Sequence, residues 1–377
     1  MALRGISSIG HTGADALGAK SRSSRRQLMK TAAWAAPVAT VATAVPALAA
    51  SQCEEATFTA QAPIGSGPNA TAARTTDFTV PVGVTSITFE VVGGTGGTSS
   101  IYTTAQPGRV RGELAVTPGE MLRLTVGQGG YKAGEHVGFT GAAGGGGYGP
   151  GGDTSYSPVN GPGANTMVAA GSGGGGSVIL SGTTPLIVAP GGGGQGQSTH
   201  SKPANQPAFG YTATGTAFNT LEQGNLGRKV WVSNGGVASA DTPGSGGDLS
   251  GATASGGSPW ARESLGQNGA ARPGGSGGDG VYEWNSYTRT NGTVLRNHVV
   301  SAGGGGGYAG GGSGGVSRAR WDAAPNTLVS AGGDGGRGSN YISASRVSNN
   351  TADTLSGQGA ADRRTPGRIV LTYTVCP

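Results

Sequence analysis

Few side chains in this chain are spaced for chemistry. Gly274-Gly275-Ser276-Gly277-Gly278 and Gly311-Gly312-Ser313-Gly314-Gly315 match G-x-S-x-G, the pattern that exposes a nucleophilic serine on a strand-to-helix turn. Gly144 to Gly149 matches the G-x-G-x-x-G of a dinucleotide-binding turn. None of these lies between a strand and a helix, and with 78 glycines in 377 residues such matches arise by chance. His136, His200 and His298 have no metal-ligand spacing. No catalytic residue, cofactor or metal is therefore expected. The remaining reactive pair is Cys53 and Cys376, which in an exported chain suggests a disulfide, the alternative being two unpaired thiols.

The elements that must carry any function are glycine-rich. Four segments share one pattern, an apolar residue, Val, a small residue, then Ala or Pro before glycine: Met167 to Gly171, Ile187 to Gly191, Val299 to Gly303 and Leu328 to Gly332. Each reads as an extended, half-buried lead-in that runs straight into glycine. Glycine is costly to order, and its easy extended conformer is the polyproline II helix, which has no internal hydrogen bonds. Two readings follow. The runs at 173–176, 191–194 and 303–307 pack side by side and bond laterally into a lattice, or they are flexible linkers. The repeated lead-ins favour the lattice, because a linker does not need them. Gly277-Gly278-Asp279-Gly280 and Gly332-Gly333-Asp334-Gly335-Gly336 share their composition with calcium-binding nonapeptide repeats but are solitary, so aspartate in a glycine turn is the simpler reading.

Only 35% of the residues are hydrophobic and 12% charged. Glycine at this level without a Gly-X-Y period excludes collagen. The apolar residues gather in short runs of Val, Ile, Thr and Leu, which points to an all-β protein. Strands are predicted at Ala56 to Ala60, Thr76 to Val80, Ser86 to Val92, Arg109 to Val116, Met121 to Val126, Ser177 to Leu180, Pro185 to Ala189 and Arg368 to Val375. The first and last of these share one sandwich, and the glycine-rich middle elaborates its loops. The net charge of +6 is concentrated early: residues 1–50 hold six of the 25 Lys/Arg and one of the 19 acids, leaving 19 basic against 18 acidic residues. A nucleic-acid partner is not supported.

Residues 1–50 read as a signal peptide. Arg25 and Arg26, followed by Leu28 and Lys30, precede an Ala-rich apolar stretch and the small-residue site Ala47-Leu48-Ala49. The paired arginines resemble the twin-arginine export signal, although Leu28 and Met29 stand where Phe and Leu are commoner. The alternative is an ordinary export signal. The apolar part is too short for a membrane span, so no stable membrane insertion is expected. Gln52 before Cys53 argues against a lipoprotein. Residues 51–377 then form a single composite domain, with the sandwich drawn from 56–130, 177–189 and 368–376 and the glycine-rich elaboration lying within 131–176 and 190–367.

Trp231, Trp260, Trp284 and Trp321 fall in that elaboration with Phe209, Tyr211, Phe218, Tyr282, Tyr287 and Tyr308. Either these aromatics clamp the glycine lattice or they line a recognition surface, with the four tryptophans as candidate binding residues.

Phe78 to Gly93, Val116 to Gly130, Gly173 to Leu180, Pro185 to Gly194 and Arg368 to Thr374 resemble bacterial secreted glycine-rich domain proteins. They are also similar to the glycine-rich extracellular region of the anaplastic lymphoma kinase receptor family. Phage tail-tip adhesins with polyglycine cores are a looser relative. The resemblance implies a TNF-like or jelly-roll β-sandwich with an inserted block of polyproline-II-type glycine helices, used for binding without catalysis. The expected role is a secreted scaffold for adhesion to a protein or glycan at a cell surface. A self-associating component of the cell envelope or extracellular matrix is the alternative.

Overall fold

The computed structural model describes residues 53–64, 72–98, 106–131, 142–154, 166–168, 170–196, 198–200, 219–223, 228–232, 234–247, 262–288, 292, 294–321, 327–355 and 365–376. Among these residues there is strand and turn but no helix. In chain order the strands are β1 (Glu54–Gln61), β2 (Arg74–Thr79), β3 (Ser86–Val92), β4 (Gly108–Ala115), β5 (Met121–Val126), β6 (Thr166–Val168) and β7 (Ser177–Ser181). Then follow β8 (Thr184–Ala189), β9 (Ser198–His200), β10 (Asn219–Gln223), β11 (Arg228–Val232), β12 (Arg262–Ser264) and β13 (Tyr282–Thr288). The last are β14 (Val294–Val300), β15 (Val316–Trp321), β16 (Thr327–Gly332), β17 (Tyr341–Ile342), β18 (Val347–Thr354) and β19 (Arg368–Val375).

Two five-stranded antiparallel sheets, ordered β1-β19-β3-β4-β18 and β17-β8-β7-β5-β2, enclose the apolar core. Strict alternation builds it: Ile87, Phe89 and Val91 are buried while Thr88 faces out, and they meet Leu122, Leu124, Ile179 and Ile187 of the opposite sheet. Phe58 and Tyr373 from one sheet reach across to Phe78 of the other, with ring centroids 5.1 and 5.5 Å apart. Each such large side chain contributes about 1.5–3 kcal/mol through its burial, so the sandwich supplies its own stability.

The first and last strands pair along their whole length, from Glu54↔Val375 to Gln61↔Arg368, and Cys53 and Cys376 just beyond them form a disulfide. The sheets also receive β17 and β18 from the stretch read as glycine-rich elaboration. β18 escaped notice because only Val347 in Val-Ser-Asn-Asn-Thr-Ala-Asp-Thr is buried; it is a bulged edge strand with Asn349 at φ 49°. β3 with β4 and β7 with β8 form hairpins inside one sheet, whereas the chain crosses between the sheets from β1 to β2, β2 to β3, β4 to β5 and β17 to β18. The two antiparallel sheets are compatible with a β-sandwich. No helix among the described residues is long and apolar enough to cross a membrane.

Candidate interaction site: a hydrogen-bonded glycine block and its hairpins

All four lead-ins lie at strand ends. β6, β8, β14 and β16 deliver the chain into the runs that begin near 170, 190, 301 and 332. Two of them run side by side, with His298 and Val299 of β14 paired in parallel with Met167 and Val168 of β6. A strand hands its neighbour an extended backbone whose amides and carbonyls still need partners.

Those partners come from other glycine runs. In 171–176 every N–H and every C=O is bonded, at 2.8–3.3 Å. The donors rotate through three neighbours. Gly171 and Gly174 donate to Gln195 and Gly192, Ser172 and Gly175 to Tyr131 and Gln128, and Gly173 and Gly176 to Gly152 and Gly149. The carbonyls accept from three further segments: Gly94 and Gly97, Gly145 and Tyr148, and Gly303 and Gly306. The central run behaves alike, since Ala302 and Gly305 donate to Gly333 and Gly336, Gly303 and Gly306 to Gly171 and Gly174, and Gly304 and Gly307 to Gly278 and Gly275. The three runs singled out in the sequence are thus bonded in a triangle: Gly174 to Gly192, Gly191 to Gly306 and Gly306 to Gly174.

Close approach is what glycine permits here. A Cβ at Gly173 would stand 1.8 Å from the Gly304 carbonyl oxygen, at Gly305 2.1 Å from that of Gly191, and at Gly191 2.0 Å from that of Gly174. Backbone cannot yield by that much. Each net backbone hydrogen bond is worth only about 0.5–1.5 kcal/mol, whereas an orphaned buried group costs about 1–3 kcal/mol, so the block holds as a unit.

Side chains enter the block where they replace a missing partner. Ser172 Oγ accepts from Tyr131 N and donates to Ala143 O, Ser177 Oγ joins Gly127 N to Val92 O, and Ser313 Oγ accepts from Gln267 N. The G-x-S-x-G serine at 313 is fully buried in this role. Asp153 accepts from Gly144 N, Asp279 from Asp153 N and Asp334 from Gly196 N, so the aspartates of both Gly-Gly-Asp-Gly segments act as amide acceptors. Among the described residues no three His, Cys, Asp or Glu side chains come together to hold a metal.

One signal had been missed. Asp334, Arg337 and Asn340 are three apart, as are Thr95 and Thr98, and Ser276 and Asp279, with glycine predominating between them. Where donors turn by one neighbour per residue, every third position faces one way, so a Gly-Gly-X rhythm marks a run with one side against something other than glycine. Arg337 illustrates it: Nη1 donates to Thr354 Oγ1 on edge strand β18 at 2.8 Å, tying the block to the sandwich. Its Nε is buried without a hydrogen-bond partner, and burial pushes the guanidinium below its ordinary value, Asp353 partly opposing.

Tyrosines make the second tie. Tyr308 and Tyr341 stack with centroids 4.4 Å apart and, with Tyr148, cover Val178 and Val188 on the hairpin of β7 and β8. Burial, then the neighbouring Tyr308 and Tyr341, raises the Tyr148 phenol. At this corner Arg272 pairs with Asp241 at 3.1 Å and lies 6.0 Å from the Tyr308 ring centre. Tyr308 is thus buried against the sandwich.

Three of the tryptophans are carried by three other hairpins. Trp231 is on β11 opposite Thr220 of β10, Trp284 on β13 opposite His298 of β14, and Trp321 ends β15 opposite Thr327 of β16. These three hairpins belong to three different sheets, so no shared strand ladder gathers the tryptophans. Trp260 lies outside the described residues, as do Arg25, Arg26, Ala47 and Ala49.

The outward face of the β1-side sheet offers an open cleft of about 330 Å³, lined by Thr88, Glu90, Arg111, Glu113, Asn349 and Thr372 among others. Glu90 is held from two sides, by Arg111 Nε at 2.7 Å and by Arg368 Nη2 at 2.7 Å. Burial raises its carboxyl, but the two guanidiniums outweigh it and leave the net shift downward.

No protein-family model matches the chain, and no characterised protein is significantly similar to it.

Proposed function

We propose that the chain is a secreted, non-enzymatic scaffold that presents hairpins and loops to a protein or glycan at a cell surface. The rotation of donors through three neighbours carries this reading. In a threefold helix residues i and i+3 point the same way, whereas a strand repeats every second residue. The glycine runs are accordingly read as polyproline-II-type helices, the feature that the resemblance to bacterial secreted glycine-rich proteins and to the anaplastic lymphoma kinase receptor region also implies. Such a block orders its backbone without side chains and leaves the intervening hairpins free to vary, which suits recognition more than catalysis. Export by the twin-arginine route is part of the same reading, because a lattice assembled from distant segments is best folded before it crosses.

Self-association in an envelope or matrix is the second reading, supported by the exposed residues Gln267, Asn268 and Ala270 beside the glycine block. Binding of the tagged chain to arrays of glycans, cell walls and secreted proteins tests the first. Selective binding that weakens at least about tenfold when Trp231, Trp284 and Trp321 are changed to alanine is expected, as for aromatic hot spots. A chain that binds nothing and forms large assemblies alone would replace the first reading by the second.

A further inference from the structure

We propose that the edge of β19 now covered by β1 can dock β1 of a second copy of this chain instead, and that the Cys53–Cys376 disulfide keeps it closed. The inference stands apart from surface binding and from the glycine block. β1 is the outermost strand of its sheet and pairs with β19 alone. Of its eight residues only Ala60 is buried, with Phe58 half-buried against Phe78 and Tyr373, so side-chain packing holds it lightly. The next strand in sequence, β2, lies in the opposite sheet, at the far edge from β17. Nothing else in the first sheet depends on β1 staying with its own chain.

Were β1 to leave, the backbone of 368–375 would become an open edge with a fixed register, matched to one sequence, Glu54 to Gln61. A second copy offers that same sequence. The ladder between copies has the same bonds as the ladder within one, so concentration decides between them. The disulfide removes the choice. It joins the residue before β1 to the residue after β19, so β1 cannot exchange while the bond exists.

The chemistry balances with a dithiol and a small-molecule disulfide as co-reactants. The dithiol supplies two electrons and two protons, the Cys53–Cys376 S–S bond breaks to two thiols, and the dithiol becomes a cyclic disulfide. After exchange Cys53 of one copy lies beside Cys376 of the other. Their oxidation passes two electrons and two protons to the small-molecule disulfide, which splits into two thiols, and a bridge between copies remains. Each copy has one strand to give and one edge to fill, so exchange yields a reciprocal dimer or a longer head-to-tail series.

The test mixes two secreted variants, Cys53→Ser and Cys376→Ser, at millimolar concentration, adds oxidised glutathione, and weighs the products on a non-reducing gel with one variant mass-tagged. Strand exchange predicts the mixed dimer, Cys53 to Cys376, in at least about tenfold excess over either homodimer, because register holds those two sulfurs together at high effective concentration. A statistical mixture of the three dimers, or none, overturns the proposal. Should either variant fail to fold, the unaltered chain is reduced and reoxidised while concentrated. A ladder of covalent multimers, absent when the same cycle is run dilute, supports the exchange, and quantitative return to monomer at both concentrations refutes it.

Discussion

At the scale of the residue, the block turns the usual meaning of a side chain around, since here the absence of one is the packing group. Gly305 shows the consequence, because a single methyl there meets the Gly191 carbonyl oxygen at 2.1 Å. Gly305→Ala is expected to lose about 3 kcal/mol or more in denaturant melts, from overpacking together with amides torn from their acceptors. A fair control needs a glycine in open space. Gly292 has nothing within 4 Å of its missing Cβ but sits at φ +80°, where valine would be strained, so Gly292→Asn is the apt comparison and should cost about 1 kcal/mol or less, well below the Gly305 variant. Equal melting of both variants with the parent would mean that the run is not packed as described. The four lead-ins were readable residue by residue because Val and Ile before glycine report a strand end. The Gly-Gly-X rhythm was just as plain in Asp334, Arg337 and Asn340, but it acquires meaning only when the neighbours of each residue are known.

At the scale of the element, strands with an apolar alternation were legible to within a residue or two, as β3, β5 and β19 show, because one face of each is sealed by the opposite sheet. β18 was not, since an edge strand with one buried residue is specified by its partner β4 rather than by itself. β10, β11, β13 and β15 were hidden for a related reason: their sequences mix polar and apolar residues without a clear alternation. Glu90 belongs to this scale, because it joins β3 to β4 through Arg111 and to β19 through Arg368. Its carboxyl is depressed in the folded chain, so the contribution is complete above the carboxylate's unfolded value of about 4.3 and is lost as pH falls through the lower folded one. Denaturant midpoints measured from pH 6 to 3 should therefore fall less steeply for Glu90→Gln than for the parent. Parallel curves would show that the pair is too well solvated to matter.

For the whole molecule, most of the glycine bonds join segments far apart in sequence, as Gly94 with Gly175 and Gly171 with Gly303 do, so slow folding is expected of the block. Replacement of Arg25 and Arg26 by lysine is expected to leave a folded precursor inside the cell, read by fractionation and immunoblot. Undiminished secretion of that double variant would favour the general export route. The sulfur bridge between the first and last strands has a mechanical meaning as well. A tether attached ahead of Cys53 and another behind Cys376 are connected through a single S–S link that bypasses a sequence separation of 323 residues. Tension between such tethers would run through two side chains and leave sandwich and glycine block slack, whereas tension applied to one tether and to a hairpin would load the sheets themselves. The same molecule would be stiff to one direction of pull and yielding to the other, according only to where it is held.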